Sequence, residues 1–162
     1  MRRFLILLPT ALALLAWALP GKAEMPTRVA VVGFRFLDTS GEPRDQEAQH
    51  LARIRALTER VGADLLAGGR FELVDLPTTE NTDTPPVDAI AAARRAGAGL
   101  VVFGAVQKLS SLVLWARASV VDTASGQPVP ERLLTFRGDN DESFARAGSF
   151  LARQIADGLP KS

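Results

Sequence analysis

Apolar positions along this chain recur sometimes as continuous runs, sometimes every second residue and sometimes every third or fourth, and the changes of pattern mark its elements. Arg28 to Leu37 reads Arg-Val-Ala-Val-Val-Gly-Phe-Arg-Phe-Leu, a nearly continuous apolar run that predicts a strand buried on both faces. Asp38-Thr39-Ser40-Gly41-Glu42-Pro43 is loop chemistry. Ala48, Leu51, Ile54, Thr58, Val61 and Leu65 then recur at helical spacing and predict the inner face of a helix, stopped by Gly68-Gly69. Phe71 to Leu76 is a second strand, closed by Pro77, and Thr78 to Pro86 is a polar, proline-rich loop. Alanine-rich Val87 to Ala96 predicts a second helix, capped by Asp83 or Thr84 and stopped by Gly97.

Leu100 to Val106 gives a third strand. Turns at Lys108-Leu109-Ser110-Ser111 and Thr123 to Pro128 fold Leu112–Asp122 and Glu131–Arg137 into an antiparallel meander. A final helix over Glu142 to Gly158, capped by Asn140 or Asp141, turns Phe144, Ala147, Phe150 or Leu151, and Ile155 inward. The order β-α-β-α-β-β-β-α predicts an α/β fold with one mixed five-stranded sheet. With the first strand between the second and third, right-handed crossovers place the first two helices on opposite faces, giving a three-layer sandwich. The second and fifth strands are then the edges, and Pro128 and Pro130 protect the fifth from stray pairing.

The segment before this pattern changes the picture of location. Met1-Arg2-Arg3, the apolar run Phe4 to Leu19 and then Pro20-Gly21-Lys22-Ala23 have the layout of a cleaved secretory signal, with the cut expected between Ala23 and Glu24. The competing reading, a retained anchor, has Pro9, Pro20 and a run shorter than the roughly 20 residues of a bilayer span against it. Phe4 directly after the arginine pair favours the general secretory route over the twin-arginine one. Residues 24–162 are thus expected to be one periplasmic domain with no stable membrane anchor. Without any cysteine, the chain has neither a disulfide nor a lipidation site. The formal charge of +1 depends on Arg2, Arg3 and Lys22; without them acidic groups are in slight excess, which argues against nucleic acid as a partner.

Catalytic chemistry has little to build on. His50 is the only histidine; it stands beside the apolar stripe of the first helix and reads as a partly exposed helical side chain. No thiol or second histidine completes a zinc site, and no serine sits in a nucleophile motif. Gly97-Ala98-Gly99 precedes a strand instead of joining strand to helix, so it reads as a helix stop and not a dinucleotide loop. Asp139-Asn140-Asp141-Glu142 reads as the acidic, capped start of the last helix and not as a calcium loop. No metal, cofactor or catalytic residue is expected. Asp38 stays a candidate binding residue because it opens the loop at the carboxyl end of a central strand, where open α/β sheets bind ligands.

The meander carries the main surface signal. Alternation puts Leu112, Leu114, Ala116, Ala118 and Val120 on one face and Val113, Trp115, Arg117, Ser119 and Val121 on the other; Leu133, Thr135 and Arg137 form a similar mixed face. Two arrangements fit. Trp115, Arg117 and Arg137 form an exposed aromatic and arginine patch of the kind favoured at binding hot spots, or Trp115 packs under the last helix with arginines snorkelling around it.

Taken in order, several segments resemble one bacterial envelope family. They are Val29-Ala30-Val31-Val32-Gly33-Phe34 with Asp38-Thr39-Ser40, Gly69 to Asp75, Ala96 to Gly104, and Val121-Asp122-Thr123-Ala124-Ser125-Gly126-Gln127-Pro128-Val129. The pattern is similar to the amino-terminal domain of the Tol-system translocation protein, to the periplasmic domain of the curli secretion lipoprotein, and to secreted domain-of-unknown-function proteins of the DUF2380 and DUF3280 kind. The resemblance implies a non-enzymatic periplasmic α/β domain that makes contacts with envelope proteins. This chain departs from the lipoproteins in lacking the lipidation cysteine and from the Tol protein in lacking a β-propeller. Two other readings stay open: a small-ligand carrier or sensor using the loops around Asp38 and Thr78 to Pro86, and a hydrolase using Asp38 with His50.

Overall fold

The long apolar run at the start of the fold is interrupted by a bulge, which divides the expected strand into two. In the computed structural model, which describes residues 25–76 and 84–160, β1 spans Thr27–Val31 and β2 spans Arg35–Asp38. Both run parallel to β4 (Leu100–Lys108), with Val31 opposite Val102 and Arg35 opposite Ala105, so Val32, Gly33 and Phe34 face only Phe103 and Gly104. One extra residue reverses the inward and outward phase of the strand. Val29 and Val31 belong to the larger core, and after the bulge it is Phe34 and Phe36 that join them. The Phe34 N–H freed from the ladder donates to Thr58 Oγ1 at 3.2 Å. Space for the Phe34 ring comes from Gly104, where a Cβ would stand 2.4 Å from that ring and 2.2 Å from the Arg117 carbonyl oxygen.

The remaining elements are α1 (Glu47–Ala67), β3 (Phe71–Leu73), α2 (Pro86–Arg95), β5 (Val113–Asp122), β6 (Pro128–Arg137) and α3 (Asp141–Gly158). The sheet order is β3-β1-β4-β5-β6, with β2 beside β4 past the end of β1; β5 is antiparallel to β4 and to β6. The mixed α/β sandwich is as expected, except that its sheet has six strands because the bulge splits the first. The edges β3 and β6 are the expected ones. Pro130 and Glu131 fall at a register shift opposite Ser119, where a missing ladder donor costs little.

Helices α1 and α3 cover one face of the sheet. Their buried residues Ile54, Leu57, Val61, Leu65, Phe144, Leu151 and Ile155 pack on Val102, Val106, Leu114, Ala116 and Val120. The inner stripe of α1 therefore runs through His50, Ile54, Leu57, Val61 and Leu65, and Leu51, expected inside, is exposed. Leu151, not Phe150, takes the inner position of α3. Asn140 caps α3 by accepting a hydrogen bond from Ser143 N at 2.9 Å. Among the described residues the other face carries only the short helix α2, whose Ala89 and Ala93 pack against Ala30, Val32, Val101 and Val121. Pro85 precedes α2 without a side-chain cap; Asp83, one expected cap, lies outside the described residues, as do residues 1–24 with the expected signal and most of the 78–86 loop.

Candidate functional site

Because α2 is short, β5, β6, β2 and the end of β4 are open on its side of the sheet. Register aligns Leu37, Gln107, Trp115 and Thr135 in one row across four strands, and Arg35, Ala105, Arg117 and Leu133 in the next. Leu37 is 55% exposed, Trp115 44% and Leu133 67%. Trp115 thus stands on the open side, and the helix α3 that would have buried it packs on the opposite face, against Leu114 and Ala116. Arg117 lies two residues along on the same side, 3.5 Å from Glu131, and Arg137 stands opposite Val113, diagonal to Trp115. Three of the expected binding residues, Trp115, Arg117 and Arg137, therefore share one surface that combines flat apolar area with guanidinium groups.

Asp38 does not join them. It follows Phe36 in phase and belongs to the opposite side of the sheet, where its carboxylate accepts from Ser40 N at 2.9 Å and from Ser40 Oγ at 2.6 Å. The Ser40 hydroxyl is the main cause that holds this carboxyl below its ordinary value, against the opposing effect of burial. Asp38 borders a groove of about 410 Å³ with Phe36, Arg44, Gln46 and His50.

Behind that groove lies a charged cluster. Lys108, read from sequence as part of a turn, is the last residue of β4 and is 0% exposed. Its Nζ donates to Asp139 at 2.8 Å, to Glu42 at 2.9 Å and to Gln46 Oε1 at 2.9 Å. Asp139 also accepts from Arg53 Nη1 at 2.7 Å and meets His50 Nε2 at 2.9 Å. Burial alone would lower the Lys108 pKa, but hydrogen bonds from its ammonium to Asp139 and Glu42 outweigh that and raise it. Burial would likewise raise the Asp139 carboxyl, but the bonds from Lys108 and His50 hold it below its ordinary value. Each charge is thus stabilised by the others, as a buried ion must be.

His50 is corrected by this geometry: it is 3% exposed, stacked on Phe36 with ring centroids 4.3 Å apart, and bonded to a carboxylate. Its partner is Asp139 and not Asp38. Asp139 in turn is not merely part of a capped helix start, since its side chain ties α1 to β4. Lys108 had a legible signal, being in phase with Val102 and Val106 on the inward side of its strand. Asp139 had none, because its role depends on where a loop places it. Among the described residues no group of histidine and carboxylate side chains has the arrangement of a metal site. The cluster's chemistry is charge balance, and it clamps three elements together.

The class the fold defines is a mixed α/β sandwich with two helices over one face of the sheet and one short helix over part of the other. The chain belongs to the family described as "Protein of unknown function (DUF2380)", whose model matches residues 27–155. No curated protein matches its sequence. Among solved structures it is similar to TolB from Acinetobacter baumannii, with a TM-score of 0.53 and 18% identity over 84% of this chain and 29% of that one. It is similar to the LpoB C-terminal domain from Salmonella enterica, with a TM-score of 0.51 and 15% identity over 71% and 85% of the two chains. A PelC dodecamer from Paraburkholderia phytofirmans gives a TM-score of 0.51 and 19% identity over 85% and 89%. The chain thus spans under a third of TolB but most of the other two. At these identities the likeness is one of fold, and it agrees with the family resemblance expected from the sequence.

Proposed function

We propose that this chain is a non-enzymatic accessory domain of the bacterial cell envelope, working in the periplasm through protein contacts on the open face of its sheet. One observation carries the reading: Leu37, Trp115 and Leu133 are large, apolar and exposed on adjoining rows of a rigid sheet, flanked by Arg117. Tryptophan and arginine on such a surface are the groups that anchor protein interfaces. The resemblance of its sequence segments to a bacterial envelope family, together with the likeness of its fold to part of TolB, motivates the location. No helix among the described residues is long and apolar enough to cross a membrane, and the leader-like segment at residues 1–23 supports export.

A photo-crosslinking residue in place of Trp115, in exported protein in living cells, tests this. Capture of one envelope protein is expected, with capture lost when Arg117 and Arg137 are both changed to Glu in a variant that folds. Absence of any captured protein, with the crosslinker accessible to solvent, would refute the reading. The second reading, a small-ligand carrier, is favoured only by the groove beside Asp38 and His50. Saturable heat of binding with a periplasmic metabolite, abolished by Asp38→Ala, is its signature.

A further inference from the structure

Beyond the open face, the free edge of β6 forms a second surface with the outer flank of α3. Among the described residues the strand pairs only with β5, and its other side has no ladder partner for its outward backbone donors and acceptors. Pro128 and Pro130 interrupt the first half of that edge, but Arg132 to Arg137 contains no proline. Beside this proline-free stretch runs a groove of about 630 Å³ between β6 and α3, with an apolar floor that includes Leu134, Phe136 and Phe150. Four arginines line it, Arg60, Arg137, Arg146 and Arg153, against one carboxylate, Glu142.

These arginines are unequally occupied. Arg146 is paired with Glu142, and Arg60 with Asp64 at 3.0 Å. Arg137 and Arg153 have no ion pair within 4 Å among the described residues; Arg153 is within electrostatic reach of Asp64, and its guanidinium lies over the Phe150 ring, 5.9 Å from its centroid. The groove lining therefore carries an excess of positive charge in a protein that is otherwise close to neutral.

We propose that the β6 edge takes an extended segment of a partner protein as an added strand, with acidic side chains of that segment directed into the arginine-lined groove. Backbone and charge choose this occupant together. A row of free N–H and C=O groups is matched by another peptide backbone, and not by nucleic acid or a lipid surface. An added strand runs about 4.8 Å from β6, and its alternate side chains point toward α3, where Arg146 and Arg153 meet carboxylates, while Arg137 borders the groove from the strand's other face. The other side chains continue the open face past Leu133. This surface adjoins the one centred on Trp115 at Arg137, whereas Arg146, Arg153 and the β6 edge belong to it alone.

The test uses a short, blocked, fluorescein-labelled peptide of alternating Val and Glu, followed by anisotropy and by amide hydrogen exchange of residues 132–137. Saturable binding that slows exchange at these amides is expected. Affinity should fall about tenfold in Arg153→Glu and by less in Arg153→Gln. Binding should vanish when the peptide is N-methylated at alternate amides along one edge. No saturable binding, or equal binding of the N-methylated peptide, overturns the proposal. Tighter binding of single-stranded DNA or phosphatidylglycerol vesicles without protection of 132–137 also overturns it, since the arginines then serve a generic anionic surface. Crosslinking from Trp115, repeated in Arg153→Glu, separates the two surfaces: the proposed contact there should be retained when the groove is lost.

Discussion

Strand β5 supplies both faces of the sheet with alternate residues, and the two faces use them in opposite ways. Toward α1 and α3 it presents Leu114, Ala116, Ala118 and Val120, all buried; toward the other side it presents Trp115 and Arg117, both exposed. The difference lies in what the chain supplies as cover. A helix of ten residues such as α2 is about 15 Å long and, at about 10 Å across, covers roughly two strands. Two longer helices, α1 and α3, cover most of the other face, and even the charges there are internal: Lys108, Asp139, His50 and Arg53 satisfy one another. The closed face therefore holds the fold together, and the open face has little to do with stability. That division assigns each residue a kind of failure when it is changed.

The largest effect is expected at the buried cluster. Asp139→Ala leaves the Lys108 ammonium buried with fewer partners, and should cost about 3–5 kcal/mol in urea unfolding. The same carboxyl sets a dependence on acid. Its folded pKa lies below the unfolded value of about 3.9, so its contribution is present above that pH and is lost as pH falls through the folded value. Lys108 has the opposite sense: its folded pKa is raised, so its contribution is complete below the unfolded value near 10.4 and is lost as pH rises through the folded one. Stability measured between pH 2 and 5 should fall more steeply in the wild type than in Asp139→Asn. Equal slopes would show that the cluster does not hold its charges as described.

Gly104→Ala is next. Its methyl group would meet both the Phe34 ring and the Arg117 carbonyl oxygen, and because the second is backbone the strands must separate. A loss of about 1–3 kcal/mol is expected. A smaller change, about 1 kcal/mol, is expected for Asn140→Ala, which removes the hydrogen bond to Ser143 N at the start of α3. Thermal unfolding measures both, and an Asn140→Ala loss as large as that at Gly104 would mean that α3 is held over the sheet by its cap more than by its packing.

Much of this division was legible in the sequence, for reasons particular residues make plain. The alternation of β5 predicted its two faces, because a strand's side-chain period is fixed by the backbone. It did not say which face α3 would cover, so Trp115 could be read as buried or exposed until the topology was known. The bulge at Val32 to Phe34 had one signal, Gly33 inside a strand pattern, but large or small apolar side chains on both sides of it leave the change of phase without a polar residue to mark it. His50 could have been placed inside by testing the stripe with Leu57 in place of Thr58. The partnership of His50, Lys108 and Asp139 could not, since no local pattern reports a contact between residues so far apart in the chain.

The smallest effect on stability should come from the open face, and that makes it the sharpest test of the comparison. Leu133 and Leu114 are the same residue type on neighbouring strands, one 67% exposed and the other fully buried. Leu114→Ala would leave a cavity under α3, typically a loss of about 2–5 kcal/mol. Leu133→Ala removes side-chain area that is already mostly in water, so its unfolding free energy should change by no more than about 0.5 kcal/mol. If the open face works by contact, that nearly silent substitution should nevertheless weaken capture from Trp115, because Leu133 stands opposite Arg117 in the adjoining row. A stability loss at Leu133 as large as at Leu114 would mean that the chain itself covers this face. Unchanged stability with unchanged capture would remove Leu133 from the contact surface and confine it to Trp115 and its arginines.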